Sequence, residues 1–187
     1  MSFDSTKEAL IDILQSIKIG KTQLPDFQRG WVWDDHRIRS LLASISLSYP
    51  VGTVMLLQTG NSDVRFKPRL VEGVNLDTPP EPERLILDGQ QRLTSLFQAL
   101  LSGKPVATFN NRGKPTHLWY YLDINKAINP NVDPEDAIIA LPENKIFRNF
   151  RGEIVADYST EEKEIEGSLL PFALVFDTSG FNSWQIK

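Results

Sequence analysis

Arg84-Leu85-Ile86-Leu87-Asp88-Gly89-Gln90-Gln91-Arg92-Leu93-Thr94-Ser95-Leu96-Phe97-Gln98-Ala99-Leu100-Leu101 changes its periodicity once, at Asp88-Gly89. Before that point lies an apolar run of strand length. After it, Leu93, Leu96, Phe97, Leu100 and Leu101 recur every three or four residues, as one face of a helix does. A strand therefore feeds a helix through Asp88-Gly89-Gln90-Gln91. The first turn of a helix has N–H groups without intrahelical partners and the positive end of the dipole, so it can receive an anion such as phosphate.

Two readings of this turn stand side by side. In the first, Asp88 is the N-cap and Gln91 completes a capping box, with no ligand involved. In the second, an anion sits at the turn and accounts for Arg92, a cation where the dipole disfavours positive charge by roughly 0.3–1 kcal/mol.

Further motifs flank the turn. Pro25-Asp26-Phe27-Gln28-Arg29 and Trp33 lie upstream, and Tyr49-Pro50-Val51-Gly52 lies between them and the turn. Arg29 offers a planar, permanently charged fork for phosphate or carboxylate, or a surface ion pair with Asp26, Asp34 or Asp35. Together with Asp88-Gly89-Gln90-Gln91-Arg92-Leu93-Thr94, these stretches resemble the N-terminal domain of GmrSD-type restriction proteins, most clearly over Leu24 to Leu101. The resemblance implies an α+β, ParB/sulfiredoxin-like nucleotidase fold, with a mixed sheet surrounded by helices. It implies catalytic Asp88 and Arg92, and a nucleotide or phosphate site built from Gln28, Arg29, Trp33, Gly89, Gln90, Gln91 and Thr94. Asp88 is the expected Mg²⁺ ligand and an NTP the expected substrate or ligand. The expected function is regulation of a modification-dependent restriction protein acting in DNA defence, with DNA and a C-terminal His-Asn-His nuclease domain as partners. The alternative is a non-catalytic module binding DNA or a modified base in the same pocket. A third reading is an interaction scaffold in which Asp88 and Arg92 pair internally.

The chain of 187 residues, 41% apolar, is long enough for one well-buried core and short for two. The reading is one domain over residues 1–180, with residues 181–187 opening a following segment of a longer protein. A net charge of −4 argues against a uniformly basic nucleic-acid surface. The lack of cysteine excludes disulfides and thiolate chemistry, and separates the chain from sulfiredoxin itself. No GxxxxGK[ST] sequence occurs, which removes a P-loop enzyme. His36 and His117 are too isolated for a zinc site or for the nuclease motif. No apolar run is long enough for a bilayer and no signal peptide is evident, so a cytoplasmic protein is expected.

Along the chain, a first helix carries Leu10, Ile13, Leu14 and Ile17 and is expected to be capped by Asp4 or Ser5. Lys21 to Trp33 reads as extended, with Pro25 favouring an edge or loop. Asp34 caps a second helix with an Ile38, Leu41, Leu42, Ile45 stripe, leaving Arg37 and Arg39 on a solvated face. Val51 to Leu57 reads as a buried strand and Val64 to Val71 as another. Asp77 to Glu83 reads as an exposed, mobile loop. Leu118 to Ile124 predicts a strand, Pro134 to Leu141 a short helix, and Lys145 to Phe150 with Glu153 to Ala156 a hairpin. Ser159 and Glu162 predict a capping-box helix start.

Overall fold

A computed structural model, describing residues 6–60, 66–110 and 112–186, shows how the strand and helix on either side of Gly89 are built into an α+β fold. In chain order the first half holds α1 (Leu10–Lys18), β1 (Thr22–Pro25), α2 (Asp35–Ser46), β2 (Met55–Gln58), β3 (Pro68–Arg69), β4 (Arg84–Asp88) and α3 (Gln90–Leu100). Their strands form one sheet in the order β2-β4-β1-β3. β1 and β4 are parallel, β2 is antiparallel to β4, and β3 is antiparallel to β1. The parallel pair is buried, as its apolar run requires, and it aims the ends of β1 and β4 toward the same region.

β5 (Val106–Phe109), β6 (Pro115–Asp123), α4 (Ile124–Ala127), β7 (Ile138–Pro142), β8 (Ile146–Arg148), β9 (Ile154–Asp157), α5 (Glu161–Glu166), β10 (Leu169–Pro171) and α6 (Thr178–Ile186) follow. β6 pairs antiparallel with β5, β7 and β10, while β8 and β9 form a separate hairpin.

One apolar cluster joins the halves: Leu14, Ile17, Leu24, Ile38, Ile86, Leu93, Leu96, Phe97, Val106, Tyr120, Ile138 and Phe172 all belong to it. α3 lies at its centre, with every residue from Leu93 to Leu100 buried. A helix apolar on most sides must be enclosed on most sides. Its one serine hydroxyl is accommodated by bonding back one turn: Ser95 Oγ donates to Gln91 O at 2.7 Å.

Several expectations change on folding. Asp4 and Ser5 lie outside the described residues; α1 opens after Ala9 with no side-chain cap. Pro25 ends a fully buried, internal strand, pairing with Pro68 only after the parallel register with β4 has stopped. The Val51 to Leu57 strand shortens to β2, a half-buried edge strand, because residues 51–54 serve another purpose described below. Of Val64 to Val71, residues 64 and 65 lie outside the described residues and only Pro68–Arg69 is strand. The 77–83 stretch is mostly exposed but tethered: Gln23 Nε2 donates to Pro80 O at 2.8 Å, Thr59 Oγ1 donates to Pro82 O, and Glu83 N donates to Lys21 O at 2.8 Å. Pro134 to Leu141 is a single 3₁₀ turn followed by β7, whose Ile138 and Ile139 suit a strand. Thr160, not Ser159, caps α5. Near the end of the described residues α6 buries Trp184.

Asp35, at the start of α2, accepts a hydrogen bond from the Tyr120 hydroxyl of β6 at 3.1 Å. Burial raises its pKa above the usual 3.8, outweighing the opposing Tyr120 bond and Arg39. Because the folded state holds this proton more tightly than the unfolded state, Asp35 favours folding most below the unfolded value. That contribution declines as pH rises through the folded value. Asp35→Asn, which keeps the acceptor oxygen, will therefore lose less stability than wild type as pH rises above about 4 in urea unfolding. Parallel pH profiles would refute the assignment.

Candidate functional site

The turn between β4 and α3 is built on Gly89, whose φ of +89° is left-handed and cheap only for glycine. Gly89 is the N-cap, and no side chain caps the helix. The expected Asp88–Gln91 capping box is therefore not formed. The left-handed residue moves Asp88 one position out into the strand, where its side chain is 69% exposed and its Oδ2 lies 3.5 Å from Arg92 Nη2. Among the described residues no side-chain acceptor meets the N–H groups of Gln90, Gln91 and Arg92.

Gln91 reaches elsewhere. Its Oε1 accepts from Val32 N at 3.0 Å and its Nε2 donates to Gly30 O at 3.2 Å. Gln90, only 4% exposed, donates to Arg29 O at 2.7 Å, and Gln28 Nε2 donates to Leu87 O at 2.8 Å. Trp31 Nε1 donates to Ser95 Oγ at 3.0 Å. From the other side Arg69 donates to the carbonyls of Gln28 and Arg29, both at 3.2 Å. The structure thus brings the two predicted motifs together, but the glutamine amides are engaged in bolting loop 28–32 onto the first turn of α3. The exception is Arg29: it is exposed, and its guanidinium has no hydrogen-bond or ion-pair partner among the described residues.

Arg92 explains the Tyr49-Pro50-Val51-Gly52 stretch. Its guanidinium donates to the carbonyls of Val51 and, at 2.7 Å, Thr53. Gly52, with φ +89°, is the close-approach residue: a Cβ there would stand 2.2 Å from Nη1. Two carbonyl dipoles and Asp88 therefore offset the cation at the helix start. Thr94, expected to contribute a hydroxyl to the nucleotide site, is 0% exposed and its Oγ1 has no hydrogen-bond partner among the described residues.

Trp33 packs against the core and shares with Arg92 a depression of about 400 Å³ whose wall also includes His36, Arg37, Ser40 and Ser44. Arg37 and Ser40 were missed in the sequence. The signal is there in retrospect: Trp33, Arg37, Ser40 and Ser44 are spaced four, three and four apart, a second stripe beside the apolar one. His36 Nδ1 is 2.7 Å from Glu135 Oε1. Arg39 lies 4.0 Å from Asp35, and its buried Nε has no hydrogen-bond partner among the described residues. On another side of the loop, Trp31, Glu72, Gln98, Lys104 and His117 line a groove of about 660 Å³. Among the described residues no three histidines or carboxylates converge as a metal cage, and no helix is long and apolar enough to cross a membrane.

Residues 10–176 match the family model of the GmrSD restriction endonuclease N-terminal domain. The chain belongs to that family. A further relative, an uncharacterized protein of Methanocaldococcus jannaschii, is 28% identical over 186 residues, covering 97% of this chain and 31% of that protein. This GmrSD N-terminal domain thus spans about a third of the length of the curated relative it matches. No solved structure matches it.

Proposed function

We propose that this GmrSD N-terminal domain binds a nucleoside triphosphate through its phosphates and hydrolyses it, as the regulatory part of a modification-dependent restriction protein working in the cytoplasm. The observation carrying this reading is the latch of loop 28–32 onto an uncapped helix start. The latch holds Arg29, whose guanidinium has no partner among the described residues, on a loop fixed beside backbone N–H groups that no described side chain caps. Those N–H groups cradle phosphate, Arg29 offsets its charge, and the exposed Asp88 carboxylate orients the attacking water.

Mg²⁺ fits this donor set as an ion that shares one carboxylate with nucleotide phosphates, not as a caged metal. Asp88 would hold it, and the ion would neutralise charge on the phosphates. Arg92 acts chiefly as a positioning residue, seating the 51–53 loop. DNA and the His-Asn-His nuclease are partners supplied by the longer protein or by a second chain.

Incubating the chain with each NTP and Mg²⁺, and measuring binding and phosphate release, tests the proposal. Asp88→Ala will abolish release while remaining folded. Arg29→Ala will weaken binding by about ten- to a hundredfold, the loss of one charge-assisted contact, without lowering the melting temperature. Arg92→Ala will lower the melting temperature, since its carbonyl seat is structural. Tight, salt-sensitive DNA binding with no phosphate release would instead make the domain a binding module.

A further inference from the structure

The depression between α2 and the 50–51 segment is lined by Trp33, His36, Arg37, Ser40, Ser44 and Arg92, together with apolar neighbours and no carboxylate. Acids pair with two of these residues from outside the wall, Asp88 with Arg92 and Glu135 with His36, which leaves Arg37 as the wall's unneutralised cation among the described residues. Its volume of about 400 Å³ is within the range of small-molecule sites. The two arginines are not equivalent. Arg92 is held by the Val51 and Thr53 carbonyls. Arg37 is exposed and uses only its backbone N–H, bonded to Asp34 Oδ1 at 3.0 Å; its guanidinium has no partner among the described residues. Arg92 also touches Asp88 at the turn, so this depression and the β4–α3 turn meet at a single side chain.

We infer that this depression is the second half of the nucleotide site: Arg37 and Ser40 hold a phosphate of the ligand and Trp33 stacks on its base. The inference rests on the nucleotide reading above and extends it. Arg37 is a fork donor with nothing else to bind, and the serine one turn further along α2 adds a hydroxyl on the same wall. The indole supplies a flat face whose stacking tolerates any base, so the depression selects for phosphate and aromatic character rather than for one nucleobase.

Isothermal titration of the whole chain with ATP, GTP, CTP and UTP, each with Mg²⁺, tests this with Arg37→Ala, Trp33→Leu, Asp88→Ala and Lys18→Ala. Lys18→Ala removes one positive charge from α1, away from both half-sites. Arg37→Ala is expected to weaken the best-bound nucleotide by about ten- to a hundredfold with an unchanged melting temperature. Lys18→Ala is expected to leave the affinity within about twofold, the mark of a screened, distant charge. Because Trp33 packs on the core, Trp33→Leu is read only if folded, and must then lose affinity for all four nucleotides. Nucleotide binding that falls in Asp88→Ala but is unchanged in Arg37→Ala overturns this inference and leaves the turn as the site. Absence of binding to wild type overturns the nucleotide reading and this inference with it.

Discussion

Gly52→Ala will destabilise the fold by about 2–4 kcal/mol, although the residue is exposed and lies outside every strand and helix. Two effects combine. A left-handed φ of +89° costs an L-residue about 1–2 kcal/mol. The added methyl would also stand 2.2 Å from Arg92 Nη1, so the guanidinium must leave the Val51 and Thr53 carbonyls. Charge-assisted bonds are worth about 1.5–3 kcal/mol each when a partner is stranded, but the Arg92 side chain is 22% exposed and recovers part of that from water. For a chain of this length the loss corresponds to a fall of about 5–15 °C in melting temperature.

The double-mutant cycle decides the mechanism. In an Arg92→Ala background the methyl meets no guanidinium, and the cost of Gly52→Ala shrinks to its backbone part, about 1–2 kcal/mol. If the full penalty persists without Arg92, the close approach is not what glycine provides there.

Gly52 also shows what could be read in the sequence and what could not. The β4–α3 junction and the α2 stripe were legible because their signals are local: a change of period at Asp88-Gly89 and a capped run from Asp34, which indeed accepts from Arg37 N. The partners of Arg92 were not, because a backbone carbonyl carries no side-chain identity. An arginine at a helix start calls for negative charge beside it, and two carbonyls answer that need as an anion would. Likewise Gln28, Gln90 and Gln91 were legible as belonging together. That Gln28 bonds the Leu87 carbonyl while Gln90 and Gln91 bond the backbone of residues 29–32 depends on how β1 and β4 lie side by side, which is long-range information. Over Pro134 to Leu141 a helical turn does open at Pro134, but pairing with β6 takes the residues that follow into β7.

Lys145→Met will cost about 2–4 kcal/mol, from a site unconnected to the nucleotide reading. Glu164 on α5 is only 4% exposed, and its Oε1 accepts from Lys145 Nζ at 2.6 Å and from the Tyr121 hydroxyl at 2.7 Å. The ammonium also lies 5.2 Å from the Trp119 ring and 5.8 Å from the Tyr121 ring, so one cation ties α5 to β6. Removing one partner of a buried pair strands the other in a medium that solvates it poorly, at about 3–5 kcal/mol when both are enclosed. Lys145 is 27% exposed, which places the expectation lower.

Methionine keeps most of the length and apolar contact of the lysine stem, so the loss reports charge rather than volume. The Lys145→Met, Glu164→Gln double variant separates the two contributions. Glutamine still accepts from Tyr121 but carries no charge to strand, so the double variant should recover most of the stability lost by the single one. Equal instability of the two in urea unfolding would assign the loss to the rings beneath the ammonium instead. Tyr121 and Trp119 belong to a second apolar cluster, separate from the one that holds Ile86 and Leu93, so the β4–α3 turn should keep its nucleotide affinity in both variants.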